Sequence, residues 1–170
     1  QPLAQLVEPA HDGRVTAVAL GAQRFLDRLG AWDGMAGEAE PIRDILVAEA
    51  DLPFKIHYDH REVGNEPLGW IVPNRAIRLA FHRLLPGLPG VEVVAPARLA
   101  ALRHERAALR LTLDRGDEIR TSLLAVCEGR LSPTRDLAGI RAERTPYRQT
   151  GIVCTIRHAR PHLGCAVERF

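Results

Sequence analysis

The sequence predicts an α/β fold with a mixed sheet, on three observations. The run Leu123-Leu124-Ala125-Val126-Cys127 is uniformly apolar, the pattern of a short strand buried on both faces as in a parallel sheet. Residues 18–29 and 74–85 carry apolar side chains at helical spacing. Several short apolar or alternating runs lie between glycine- and proline-bearing breaks and read as strands.

Taken in order, residues 1–13 are proline-bearing and unperiodic and read as a loop entering the fold. Val18, Ala22, Phe25, Leu26 and Leu29 then mark one helical face, with Thr16 as its cap and Gly30 as its stop. Residues 42–48, 54–58 and Trp70-Ile71-Val72 read as strands. A second helix starts at Asn74 and shows Ile77, Ala80, Phe81, Leu84 and Leu85 on one side; Pro86-Gly87-Leu88-Pro89-Gly90 stops it. Residues 91–94 form a compact apolar strand, followed by strands at 97–103 and 108–113, the latter alternating Leu109, Leu111 and Leu113. Arg115-Gly116-Asp117 turns the chain back towards Ile119. A helix opens near Ser132 or Pro133, reaches Ala138 and stops at Gly139. Residues 149–157 and 164–169 read as strands around the turn Arg160-Pro161-His162, so a second sheet opens near residue 145. The alternatives are α/β and α+β.

The chain has 170 residues, 46% of them hydrophobic and 26% charged, a balance typical of globular proteins. Its 23 basic and 21 acidic residues leave a net charge of +2, and Lys55 is the sole lysine. No basic block with interleaved aromatics is present, which argues against a nucleic-acid surface. No apolar run approaches the ~20 residues that a membrane helix needs. The three cysteines, Cys127, Cys154 and Cys165, make no CxxC pair, so a reducing cytoplasm is the expected compartment.

The chemistry concentrates after the apolar run at 123–127. In open α/β sheets ligands sit beyond the carboxyl ends of the strands. There Gly129 lets backbone approach a phosphate, Ser132 is placed to cap a helix and Arg135 to pair with an anion. Glu128 as a plain turn residue and Ser132 as a simple cap remain open readings. Arg75, at a helix start, sits unfavourably beside the positive end of the helix dipole unless an anion is near. His57, Asp59, His60 and Glu62 suggest a metal, but on a strand His57 and Asp59 share a face while His60 opposes them, and no further cluster has zinc spacing; no metal is expected. Arg115-Gly116-Asp117 is a hairpin turn rather than an adhesion signal, and Cys127 is read as a small apolar strand residue.

Several motifs, in order, carry a family likeness: Asp12-Gly13-Arg14-Val15-Thr16-Ala17, the helix to Leu29-Gly30-Ala31-Trp32-Asp33, and His60-Arg61-Glu62-Val63-Gly64. Leu68-Gly69-Trp70-Ile71-Val72-Pro73-Asn74-Arg75, Glu128-Gly129-Arg130-Leu131-Ser132-Pro133-Thr134-Arg135 and Glu168-Arg169-Phe170 complete the set. From about residue 9 onward the chain resembles the ubiquinone-biosynthesis hydroxylases, which belong to the FAD-dependent aromatic-ring monooxygenases of the para-hydroxybenzoate hydroxylase type.

The resemblance implies a partial FAD-binding, Rossmann-like domain of the glutathione-reductase type (residues 1–39 and 73–145) and part of a mixed substrate-domain sheet (40–72 and 146–170). It implies hydroxylation of a polyprenylated phenol with FAD, dioxygen and NAD(P)H as reductant; the cofactor carries the chemistry and the protein positions it. It allows contact with other ubiquinone-biosynthesis proteins and peripheral contact with the inner membrane. Carried over by position, Arg14 reaches the flavin nucleotide and Arg75 the ribityl–pyrophosphate region, and the Leu99 backbone amide meets the adenine. Glu128 and Gly129 stand at the family's Asp-Gly motif near the pyrophosphate, which Ser132 and Arg135 complete. The motif's aspartate is a glutamate here, which weakens its link to NAD(P)H. No Gly-x-Gly occurs in the chain, so the pyrophosphate cradle at the family's first helix is absent and this piece alone is expected to bind FAD weakly or not at all and to be inactive. Two other functions stay open: a flavin hydroxylase of a small soluble phenol, and a truncated, non-catalytic binding or assembly module.

Overall fold

A computed structural model describes residues 13–49 and 53–170; the loop expected over 1–13 falls, but for Gly13, outside the described residues. The contacts divide the chain into two compact units, residues 1–93 with 151–170, and residues 94–150.

In the first unit, β1 (Val15–Ala19), β2 (Glu40–Ile42) and β5 (Gly69–Pro73) form an antiparallel sheet in the order β1-β5-β2. Val18 faces Trp70 across it, and Ile42 faces Gly69. A Cβ on Gly69 would come within 2.6 Å of the Val18 carbonyl oxygen, so only glycine lets these two strands approach so closely. Helix α1 (Leu20–Arg28), the short α2 (Asp33–Ala36) and α3 (Asn74–Leu84) accompany this sheet. Val18, Ala31, Trp32, Met35, Val72, Ala76 and Ala80 form the buried core, and Trp32 meets Trp70 edge-on with ring centroids 5.2 Å apart. A second sheet runs β4-β3-β9, with β4 (Lys55–Asp59) antiparallel and β9 (Cys165–Arg169) parallel to β3 (Asp44–Ala48). The mixed sheet expected from sequence is therefore present.

The second unit is a three-strand antiparallel meander, β6 (Leu99–His104), β7 (Leu109–Leu113) and β8 (Glu118–Thr121), with α4 (Pro133–Leu137) lying against β6. Glu105 accepts from Arg110 at 2.7 Å and from Arg120 at 2.8 Å, a bridge that holds its carboxyl below the ordinary glutamate range.

Three expected strands are corrected. Residues 91–94, 123–127 and 149–157 have no strand assignment, and Leu123, Val93 and Ile152 are 79%, 53% and 88% exposed. Cys127 is accordingly exposed rather than tucked into a core. Apolar composition favours extended backbone, but a strand also requires a neighbouring strand for its N–H and C=O groups, and no strand among the described residues pairs with these three. The first helix is corrected too. Val18 and Ala19 belong to β1, the Thr16 hydroxyl donates to Asn74 Oδ1 at 2.5 Å instead of capping, and Phe25 and Leu29 are exposed while Leu26 packs on the core.

Candidate cofactor-binding turn

The turn over residues 128–135 is built around one carboxylate. Gly129 adopts φ +79°, the left-handed region that side chains with a Cβ avoid, and so reverses the chain after Glu128. That reversal brings the Glu128 carboxylate back over the start of α4. Glu128 Oε2 accepts the Ser132 hydroxyl at 2.6 Å and the Thr134 backbone N–H at 3.0 Å, and Oε1 accepts the Thr134 hydroxyl at 2.8 Å. Ser132 Oγ accepts in turn from the Arg135 N–H at 3.1 Å, capping the helix that Pro133 opens. Ser132 and Thr134 are 5% and 3% exposed, the buried polar side chains that this carboxylate satisfies.

Donation by the Ser132 hydroxyl first, then by the Thr134 hydroxyl and N–H, holds the Glu128 carboxyl below its ordinary value. A folded pKa below the unfolded one stabilises the turn above the ordinary glutamate range and loses that stabilisation as pH falls through the folded value. Carbon-13 NMR of the glutamate carboxyls should show Glu128 titrating below the free-peptide value of roughly 4.3. The turn should be unchanged from pH 7 to 5 and loosen only in stronger acid.

Arg135 places Nη1 3.2 Å from the Arg130 carbonyl oxygen and Nη2 3.3 Å from Asp136 Oδ1. Its Nε is buried and has no hydrogen-bond partner among the described residues. Arg135 also borders a cavity of about 690 Å³ whose wall joins Arg130, Arg144 and Glu143 to Leu131, Ala142, Pro146 and Tyr147. Its arginines could pair with an anionic group, while most of its wall is apolar. Leu99, in the same unit, opens the edge strand β6 opposite Leu113.

Arg14 and Arg75 lie in the other unit, where the Asn74 N–H donates to the Arg14 carbonyl at 3.0 Å and so brings the two arginines to one corner. Arg75 pairs with Glu38, so the anion that its place at a helix start demands is supplied from within the chain. Among the residues suggestive of a metal, His57 Nε2 meets Asp44 Oδ1 at 2.8 Å. Asp59 accepts from the Arg61 backbone at 2.9 Å and its guanidinium at 2.6 Å, pairing that keeps the Asp59 carboxyl well below the usual range.

Sequence reasoning missed Thr134 and Glu38. The familiar helix-start signature sets Ser or Thr three residues before the carboxylate; here the carboxylate precedes the serine by four, so the pattern does not register.

No family model matches the chain. Ubiquinone hydroxylase UbiL of Rhodospirillum rubrum is 42% identical over 97% of the chain, which spans 38% of that relative's length. The 3-demethoxyubiquinol 3-hydroxylase of Escherichia coli is 26% identical over 92% of the chain, which spans 40% of it. Among solved structures, the anhydrotetracycline hydroxylase OxyS of Streptomyces rimosus superposes with a TM-score of 0.58 at 24% identity, over 79% of this chain and 28% of its own. The Diels-Alderase PyrE3 of pyrroindomycin biosynthesis superposes with a TM-score of 0.54 at 19% identity, over 72% of this chain and 25% of its own. These two carry the fold only. On the sequence relationship, the chain is a homologue of the ubiquinone-biosynthesis hydroxylases over the stretch of them that it spans.

Proposed function

We propose that this chain forms part of an FAD-dependent monooxygenase that hydroxylates the aromatic ring of a polyprenylated ubiquinone precursor. The observation that carries the reading is the ordered turn at 128–135, bordered by a cavity that Arg130, Arg135 and Arg144 share with apolar residues, in a chain 42% identical to a ubiquinone hydroxylase. When bound, FAD supplies the chemistry, taking electrons from NAD(P)H and activating dioxygen towards the ring. The chain's own residues bind and orient. The Gly129 backbone and the Arg135 guanidinium hold the diphosphate, and the Leu99 amide meets the adenine. Glu128 and Ser132 set the shape of the turn.

In the same reading residues 1–39 and 73–145 serve the cofactor in a Rossmann-like arrangement, and 40–72 with 146–170 wall the substrate. The apolar segments 91–94 and 123–127, unpaired and largely exposed, are surfaces that a longer protein would cover; the chain spans 38% of the Rhodospirillum relative. None of the described helices is long and apolar enough to cross a membrane.

FAD titrated to millimolar concentration into the nitrogen-15-labelled chain tests this. Saturable shifts of the Leu99, Gly129 and Arg130 amides are expected, with Arg135→Ala weakening them at least tenfold. Shifts confined to other residues, or none, would overturn it.

A further inference from the structure

We infer that Thr134 is a positioning residue for the diphosphate-facing turn, acting through Glu128. The inference rests on the cofactor reading of that turn and gives a role to the one hydroxyl of the 128–135 stretch that the sequence reading left without one.

The Glu128 side chain reaches past Ser132 to Thr134, which offers two donors at once, its N–H at 3.0 Å and its hydroxyl at 2.8 Å. The N–H is available from any residue; the hydroxyl is particular to Thr or Ser. Three donors therefore fix both oxygens of one carboxylate, and neither oxygen is left to turn towards a ligand. The carboxylate is directly followed by Gly129, so its orientation sets the direction of the peptide groups that would face the diphosphate. Thr134 itself is 3% exposed and cannot touch a ligand in the cavity. Any influence on binding must pass through the carboxylate. A hydrogen bond to a charged group is the kind whose loss is felt most, because the carboxylate cannot simply be left half-solvated.

The test uses Thr134→Val, which keeps the shape and removes the hydroxyl, and Thr134→Ser, which restores it. FAD is titrated into the labelled chain and followed at the Gly129 and Arg130 amides, with hydrogen exchange of the amides at 129–135 recorded alongside. Thr134→Val should weaken FAD binding about tenfold, the factor that corresponds to losing one such bond, and speed exchange through the turn. Thr134→Ser should return both towards the parent values. A Thr134→Val chain that binds FAD as the parent does would overturn the inference while leaving the cofactor reading intact. So would faster exchange in Thr134→Val with unchanged binding, since that describes a structural residue only. A parent chain that shows no shift in the turn overturns the cofactor reading, and the inference with it.

Discussion

Trp32→Ala should cost about 3–5 kcal/mol, the range for emptying a large aromatic site from a packed core. Trp32 is 9% exposed, stands immediately before α2 and lies edge-on to Trp70 among Val18, Met35, Val72 and Ala76. It therefore joins the α2–α3 helices to the β1-β5-β2 sheet, and its removal opens a cavity among their packed side chains. Domains hold only ~5–15 kcal/mol in total, so the variant should sit close to its unfolding threshold. A thermal melt followed by circular dichroism should fall by roughly 10 °C, while Trp32→Phe should cost well under half as much. A melt within two or three degrees of the parent would mean that the tryptophan pair is peripheral to the core.

Gly129→Val should have the largest effect on cofactor binding of any single change in the turn. With φ at +79°, a β-branched residue meets backbone strain of roughly 1–2 kcal/mol before any ligand is considered. Space is not the obstacle, because a Cβ there would have no neighbour within 4 Å. The strain is relieved by moving the residue out of the left-handed region, which swings Glu128 away from Ser132 and Thr134 and re-aims the peptide groups of the turn. FAD binding, read from the Gly129-adjacent amides, should fall by well over tenfold while the melt of the whole chain moves little. Gly129→Asn, which tolerates left-handed backbone, should retain most of the binding. Equal loss in both variants would point to a steric role for glycine instead.

Much of this molecule is legible in its sequence where local signals and pairing agree. Helix α3 begins at Asn74 and gives way to a 3-10 turn at Leu85–Gly87, as its apolar spacing and Pro86 require. Leu109, Leu111 and Leu113 alternate because β7 is the middle strand of a meander whose turns are short. Ser132 caps α4 as its position before Pro133 suggests. Residues 123–127 show the limit of such reasoning. Five apolar residues signal extended backbone, but whether they become a strand depends on which segments lie alongside, and composition carries no information about that. Glu128 was legible as a turn residue, whereas its engagement with Ser132 and Thr134 depends on the left-handed backbone at Gly129, which bends the chain back on itself. Arg75 is a similar case: the need for a nearby anion follows from the helix start, but its source in Glu38 is visible only once α2 and α3 are packed.

The parallel pairing of β3 with β9 has a consequence for how the polypeptide assembles. Asp44 cannot find Cys165 until the intervening chain, including all of residues 94–150, has been made and drawn together. Closing so long a loop costs entropy that adjacent hairpins such as β6-β7-β8 do not incur. The meander is thus free to form early and on its own, while β3 and β4 wait as a bare two-strand ribbon, a state of marginal stability in water. During synthesis that ribbon, carrying Ile45, Val47, Ile56 and Tyr58, is the segment with the longest exposure to chaperones and to mispairing.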